Sequence, residues 1–131
     1  MKSLLLFVTL LCAVALSSSA FVGSKAANTG KRQRATTMFS TPVKLQGVTL
    51  KGEYLFVHDD AAMARGEACT FVYKGNAPIK EKLVVSFHCV PVQRFKVDSF
   101  TVRTQLVNGI DELREYQFAG DTETHMVPEA K

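Results

Sequence analysis

From Val43 onward the chain is built of short runs in which apolar residues recur at every second position. Val43 and Leu45 precede Gly47, and Val48 and Leu50 follow it. Tyr54, Phe56 and His58 alternate with Leu55 and Val57, and Cys69, Phe71 and Tyr73 alternate with Thr70 and Val72. In the longest run Leu83, Val85, Phe87 and Cys89 share one face, while Val84, Ser86, His88 and Val90 share the other. Successive side chains of an extended strand point to opposite faces, so this period, carried by β-branched and aromatic residues, specifies half-buried strands. Lys51-Gly52, Lys74-Gly75-Asn76-Ala77-Pro78 and Asn108-Gly109 supply turn chemistry between the runs. Asp59 or Asp60 can cap a short helical turn through Ala61–Ala64 that ends near Gly66. Pro91 cannot donate to a ladder and is expected to bend or end the Leu83–Val90 strand. The expected fold class is mainly β: a small antiparallel sheet, arranged as a sandwich or partly open barrel, with at most one short helix. The β domain is expected over 40–120, with 121–131 a loose tail or an arm that orders on a partner.

The last hairpin can be tested against its own side chains. A two-residue Asn108-Gly109 turn pairs Val107 with Ile110 and, counted back, sets Val102 against Glu115 and Phe100 against Gln117. A three-residue loop, Asn108-Gly109-Ile110, sets Val102 against Tyr116, Phe100 against Phe118 and Arg103 against Glu115. Apolar then meets apolar and opposite charges meet on the other face. The side chains therefore predict the longer loop, with Gly109 at positive φ forming a bulge.

The first part of the chain reads as an address. Lys2 precedes an apolar run from Leu4 to Leu16, and the small residues Ser17 to Ala20 follow, with Ser18 and Ala20 spaced for signal peptidase. Such a run is too short to span a bilayer and matches a cleavable secretory signal over 1–20. Residues 21–39 carry Lys25, Lys31, Arg32 and Arg34, several Ser and Thr, and no acid, as organelle transit peptides do. The junction Ser18-Ser19-Ala20-Phe21-Val22-Gly23 resembles the Ala-Phe junction of plastid preproteins in algae with complex plastids, such as diatoms. That resemblance implies a nuclear-encoded plastid protein cut between Ala20 and Phe21. The competing expectation is an ordinary secreted protein with a basic propeptide.

Of 16 Lys and Arg, five lie before residue 40, where no acid lies, which leaves 11 cations against all 12 acids in the remainder. The basic excess thus falls in the leader, and no nucleic-acid footprint is expected. Cys12 leaves with the signal; Cys69 and Cys89 would be free thiols in a reducing stroma or a disulfide in a secreted protein. No second apolar run follows the transit segment, so the expected compartment is the plastid stroma or a stroma-facing thylakoid surface, with membrane contact only through a partner complex.

His58, Asp59, Asp60, Cys69, His88, Cys89 and His125 are the residues that can carry chemistry. Imidazole and thiolate from neighbouring strands suit a transition metal, and His58, Cys69 and His88 are the candidate ligands. His88 and Cys89 are adjacent, so in a regular strand they cannot share an ion. Buried structural thiols are the plainer alternative. A thiolate–imidazole nucleophile, Cys89 with His58, has no spacing that demands it. No glycine-rich phosphate loop, Rossmann fingerprint or G-x-S-x-G elbow is present. No catalytic residue and no cofactor is expected. The strand start Gly52-Glu53-Tyr54 and the run Phe87-His88-Cys89 are similar to small uncharacterised β-proteins of bacteria, a resemblance that implies no activity.

The address implies a non-enzymatic accessory subunit docked on the stromal side of a photosynthetic complex, with protein subunits of that thylakoid complex as partners. Photosystem I, whose stromal face carries peripheral subunits, is the expected partner. The alternative is a small metal- or ligand-binding β domain of the plastid stroma that uses His58, His88 and a Cys.

Overall fold

The computed structural model of this protein describes residues 31–130. The expected signal peptide, the Ala20-Phe21 junction and most of the transit segment lie outside the described residues. Strands β1 (Arg32–Leu45) and β2 (Val48–Asp59) form a long hairpin, followed by helix α1 (Asp60–Ala64) and β3 (Thr70–Lys74). A single 3-10 turn at Lys80–Lys82 leads into β4 (Leu83–Phe87), and β5 (Val90–Gln93) follows after His88 and Cys89. The strands β6 (Thr101–Val107), β7 (Ile110–Gln117) and β8 (Glu123–Met126) complete the chain.

The strands form one 8-stranded sheet in the order β4-β3-β2-β1-β7-β8-β5, with β6 paired to β7 outside this path. The fold is mainly β with one short helix, as the alternation requires. One join, β1 with β7, is parallel, so the sheet is mixed. β4 and β5 end the path on opposite sides, yet only His88 and Cys89 separate them in sequence. The sheet therefore curls into a half-barrel that brings its outer strands to a common corner.

The curl creates the core. Phe39, Val43, Leu45, Leu50, Tyr54, Phe56, Val72, Phe87, Leu113, Tyr116 and Phe118 fill the concave side. β2 is central: Tyr54, Phe56 and His58 face inward, while Leu55 and Val57 pack with Tyr73 and Phe71 on the outer face. Asp59 caps α1, its carboxylate accepting from the Ala61 and Ala62 amides at 3.0 and 3.1 Å. Gly66, at φ +75°, follows the helix as expected. Gly47 belongs to a tight turn, since Leu45 pairs with Val48 across Gln46 and Gly47.

Three expectations about the strands need correction. Val107 does pair with Ile110, so the last turn has two residues, Asn108 and Gly109, both at positive φ as a type I′ turn requires. The register nevertheless shifts between Arg103 and Thr104, and beyond it Arg103 meets Glu115 and Val102 meets Tyr116. The side-chain pairs hold, but the extra residue that produces them is Arg114, bulged within β7, and not Ile110 in the loop. The bulge also divides the second edge of β7: Asp111 and Glu112 pair with β1, while Glu115 to Gln117 pair with β8.

The run Leu83–Val90 is not one strand. It breaks at His88 and Cys89, and Pro91 lies within β5 opposite His125, on an outer strand where its missing N–H is harmless. The tail is not loose either, because Thr124 and His125 are buried in β8.

β1 begins at Arg32, inside the segment read as transit peptide. Its pairs run from Arg32↔Asp59 to Phe39↔Gly52, then the register shifts before Val43↔Leu50, around Pro42. Its inward positions include Gln33, Ala35 and Thr37, which give no hydrophobic alternation to read. A chain that starts at residue 40 loses these pairs and the burial of Phe39. Against a typical total stability of about 5–15 kcal/mol, that loss is expected to unfold the domain. A chain starting at residue 30 should show a cooperative thermal transition by circular dichroism, and one starting at residue 40 should show none.

Candidate metal centre

The corner where the sheet closes gathers the chemistry-bearing side chains. His58 arrives there because it continues the inward face of β2 beyond Phe56. Cys69 sits immediately before β3, where its amide donates to the Phe87 carbonyl at 3.1 Å and its carbonyl accepts from the Asp59 amide at 2.9 Å. Cys89 lies in the link between β4 and β5. His125 comes from β8, across from Pro91 on one side and Tyr116 on the other. All four are buried; His58, Cys69 and Cys89 have no exposed surface.

Cys89 is the hub. Its Sγ lies 3.0 Å from Cys69 Sγ, 3.3 Å from His58 Nε2 and 3.5 Å from His125 Nδ1. Met63 Sδ, on α1, is 3.9 Å away. Ligand atoms of His58, Cys69 and Cys89 all fall within 4.8 Å of one another. An ion bound at ~2.3 Å to sulfur and ~2.0 Å to nitrogen separates tetrahedral donors by ~3.3–3.8 Å, so the two sulfurs, 3.0 Å apart, must part to admit one. Both cysteines are free thiols.

The electrostatics favour one thiolate. Cys69 Sγ accepts from the Cys89 thiol and from the Cys89 backbone amide at 3.2 Å. The bond from the Cys89 thiol holds the Cys69 thiol well below its usual range despite burial, with His58 adding to the effect. The same bond, burial and the neighbouring charge push Cys89 up. His58 turns Nδ1 toward Asp60, 3.0 Å from its Oδ1 but too bent to count as a hydrogen bond, and Nε2 toward Cys89. A carboxylate behind the imidazole is the usual outer-shell partner of a metal-binding histidine. The His125 ring lies tilted against His58, 3.9 Å between centroids, and stacks on Tyr116 at 5.0 Å. Tyr116 in turn bonds Thr70 Oγ1, and burial raises its phenol well above the usual range.

The sequence candidates fall in different places. His58 and Cys69 meet as expected, and Cys89 joins them because the strand breaks at residues 88–89. His88 is exposed; its Nδ1 donates to the Cys89 carbonyl at 2.9 Å and stands 3.9 Å from Cys69 Sγ. It lies at the rim of the cluster and not within it. Asp59 is the helix cap, and Asp60 stands behind His58. Cys89 has imidazoles beside it, yet a nucleophile needs access that this fully buried sulfur lacks. The cleft of about 390 Å³ lined by Lys44, Glu112, Arg114 and Pro128 includes none of these residues. Met63 carried no signal, since a thioether in a short helix reads as packing. No protein-family model, curated protein or solved structure matches the chain.

His125 makes the metal-free domain acid-sensitive. Burial, then the neighbouring His58, lowers it from 6.5 to about 4. The unfolded chain takes up this proton near pH 6.5 and the folded one only near pH 4, so stability falls as pH drops through that window. At about 1.4 kcal/mol per pH unit the loss is about 3 kcal/mol by pH 4. Urea midpoints measured from pH 7 to 4 should decline, and His125→Gln should flatten that decline.

Proposed function

We propose that this protein is a small, non-enzymatic metal-binding β domain whose fold closes around a borderline or soft transition-metal ion. The observation that carries this reading is the convergence of His58, Cys69 and Cys89 within 4.8 Å in a fully buried corner. Such a set is costly without an ion. Burying two thiols and an imidazole forfeits their hydration, which an ion held by Cys69 Sγ, Cys89 Sγ and His58 Nε2 would replace. Thiolate with imidazole is the donor chemistry of zinc and copper, whereas calcium and magnesium take oxygen. Cys69 and Cys89 would supply the thiolates and His58 the imidazole, with Asp60 behind it.

The accessory-subunit expectation, with photosystem I as partner, rests on the leader read over residues 1–39, whereas the metal reading rests on side chains within the fold. The alternative therefore moves to the front, with Cys89 in the place expected for His88.

Protein purified without chelator should carry about one ion per chain by elemental analysis. Cys89→Ser and His58→Ala should each lose it, while His88→Ala should keep it. An ion retained equally by all three variants, or absent from the unaltered protein after incubation with zinc or copper, defeats the proposal. Bound metal should also raise the melting temperature, because an ion that binds only the folded state stabilises it by mass action.

A further inference from the structure

The donor set also discriminates between ions, an inference that rests on the metal reading above. A structural zinc site requires four strong ligands. Three are in place here: Cys69, Cys89 and His58. His125 is the nearest further imidazole, its ring against His58 with planes tilted by 33° and centroids 3.9 Å apart. Its Nδ1 is 3.5 Å from Cys89 Sγ, yet His125 falls outside the set of His58, Cys69 and Cys89 whose ligand atoms all lie within 4.8 Å of one another. His125 is thus placed to cover the site and not to complete a tetrahedron. Water, the usual fourth ligand of a three-residue zinc site, has no path to a cluster whose three donors expose no surface.

The remaining atom is Met63 Sδ, 3.9 Å from Cys89 Sγ. It is held there by α1, which Asp59 caps immediately after His58, so the thioether and the imidazole are positioned by the same local structure. A thioether is a soft donor that adds little for zinc and much for copper. Two thiolates, one imidazole and a thioether form a soft donor set of the kind that selects monovalent copper.

We propose that the ion is monovalent copper, bound by Cys69, Cys89 and His58 with the Met63 thioether as a fourth, longer ligand. The soft sulfurs set the preference for the ion, and burial shields it from water and from oxidants. His88, exposed and 3.9 Å from Cys69 Sγ, marks the rim nearest to solvent.

Anaerobic titration of the full chain with monovalent copper against a coloured copper chelator, and in parallel with zinc against a zinc chelator, tests this. Copper should bind one per chain and displace zinc. Met63→Leu, which conserves volume, should weaken copper by about ten- to a hundredfold and leave zinc unchanged. X-ray absorption at the selenium edge of selenomethionine-labelled protein gives a second measure that does not depend on a variant. A copper neighbour should appear in the unaltered protein and vanish in Met63→Leu. Zinc that displaces copper, or selenium with no copper neighbour, overturns the copper proposal and leaves the metal reading standing. Failure to hold either ion overturns both.

Discussion

The rest of the structure depends on a closure constraint. β4 and β5 lie at opposite ends of the sheet path, and two residues connect them. A flat sheet cannot satisfy that link, so the natural twist of the strands is carried into a curl. The curl gives the concave side an enclosed core, although a domain of this size has little apolar surface to bury. It also dictates that the connecting residues lie inside. Cys89 is buried because the chain must cross the corner there, and Cys69 meets it because Phe87 holds the Cys69 amide at the start of β3. β8 then covers the corner from the far side and brings His125.

Closure of this kind has an energetic consequence. A buried donor or acceptor left without a partner costs about 1–3 kcal/mol, and a buried charge costs more. The corner holds two thiols, one of them acidified by the other, and two imidazoles, with a nitrogen of each ring lacking a hydrogen bond. A core of equal volume built from leucine and phenylalanine would avoid that cost. An ion bound as proposed would repay part of that cost at the two sulfurs and at His58 Nε2. The aromatic wall of Phe56, Phe100, Tyr116 and Phe118 beside His125 keeps water from doing so instead.

Much of the fold was legible because alternation reports directly on which face a residue takes. His58 could be placed inward from Tyr54 and Phe56 alone, and the Asp59 cap followed from local chemistry. What stayed hidden was non-local or apolar-silent. The first half of β1 turns Gln33, Ala35 and Thr37 inward, so no hydrophobic period marks it. The Arg114 bulge could not be placed by counting from the turn, because two faults cancel: a short turn that misaligns the hairpin and a bulge that realigns it. Of the candidate site, the residue types were readable but the company was not. His58, Cys69 and His88 are the ligands the sequence suggests, and the break at residues 88–89 instead turns Cys89 inward and leaves His88 at the rim. Met63 and His125 reach the site through α1 packing and through the β5–β8 ladder, contacts that no local pattern encodes.

The extent of β1 also changes how the leader bears on the domain. Lys31, Arg32 and Arg34 had been assigned to the address, yet the two arginines sit in β1, and Lys31 reaches Asp121 at 3.3 Å, beside the 2.8 Å bond from Gln33 to the same carboxylate. These contacts tie the start of β1 to the turn just before β8, which covers the corner of His58, Cys69 and Cys89. Moving the three cations into the folded unit turns 11 cations against 12 acids into 14 against 12, still too balanced for a nucleic-acid footprint. A transit peptide of the kind that Ala20-Phe21 suggests must therefore be cut upstream of Arg32. A cut near residue 39 would remove the strand that pairs with Glu53 to Asp59 and, with it, the support for His58.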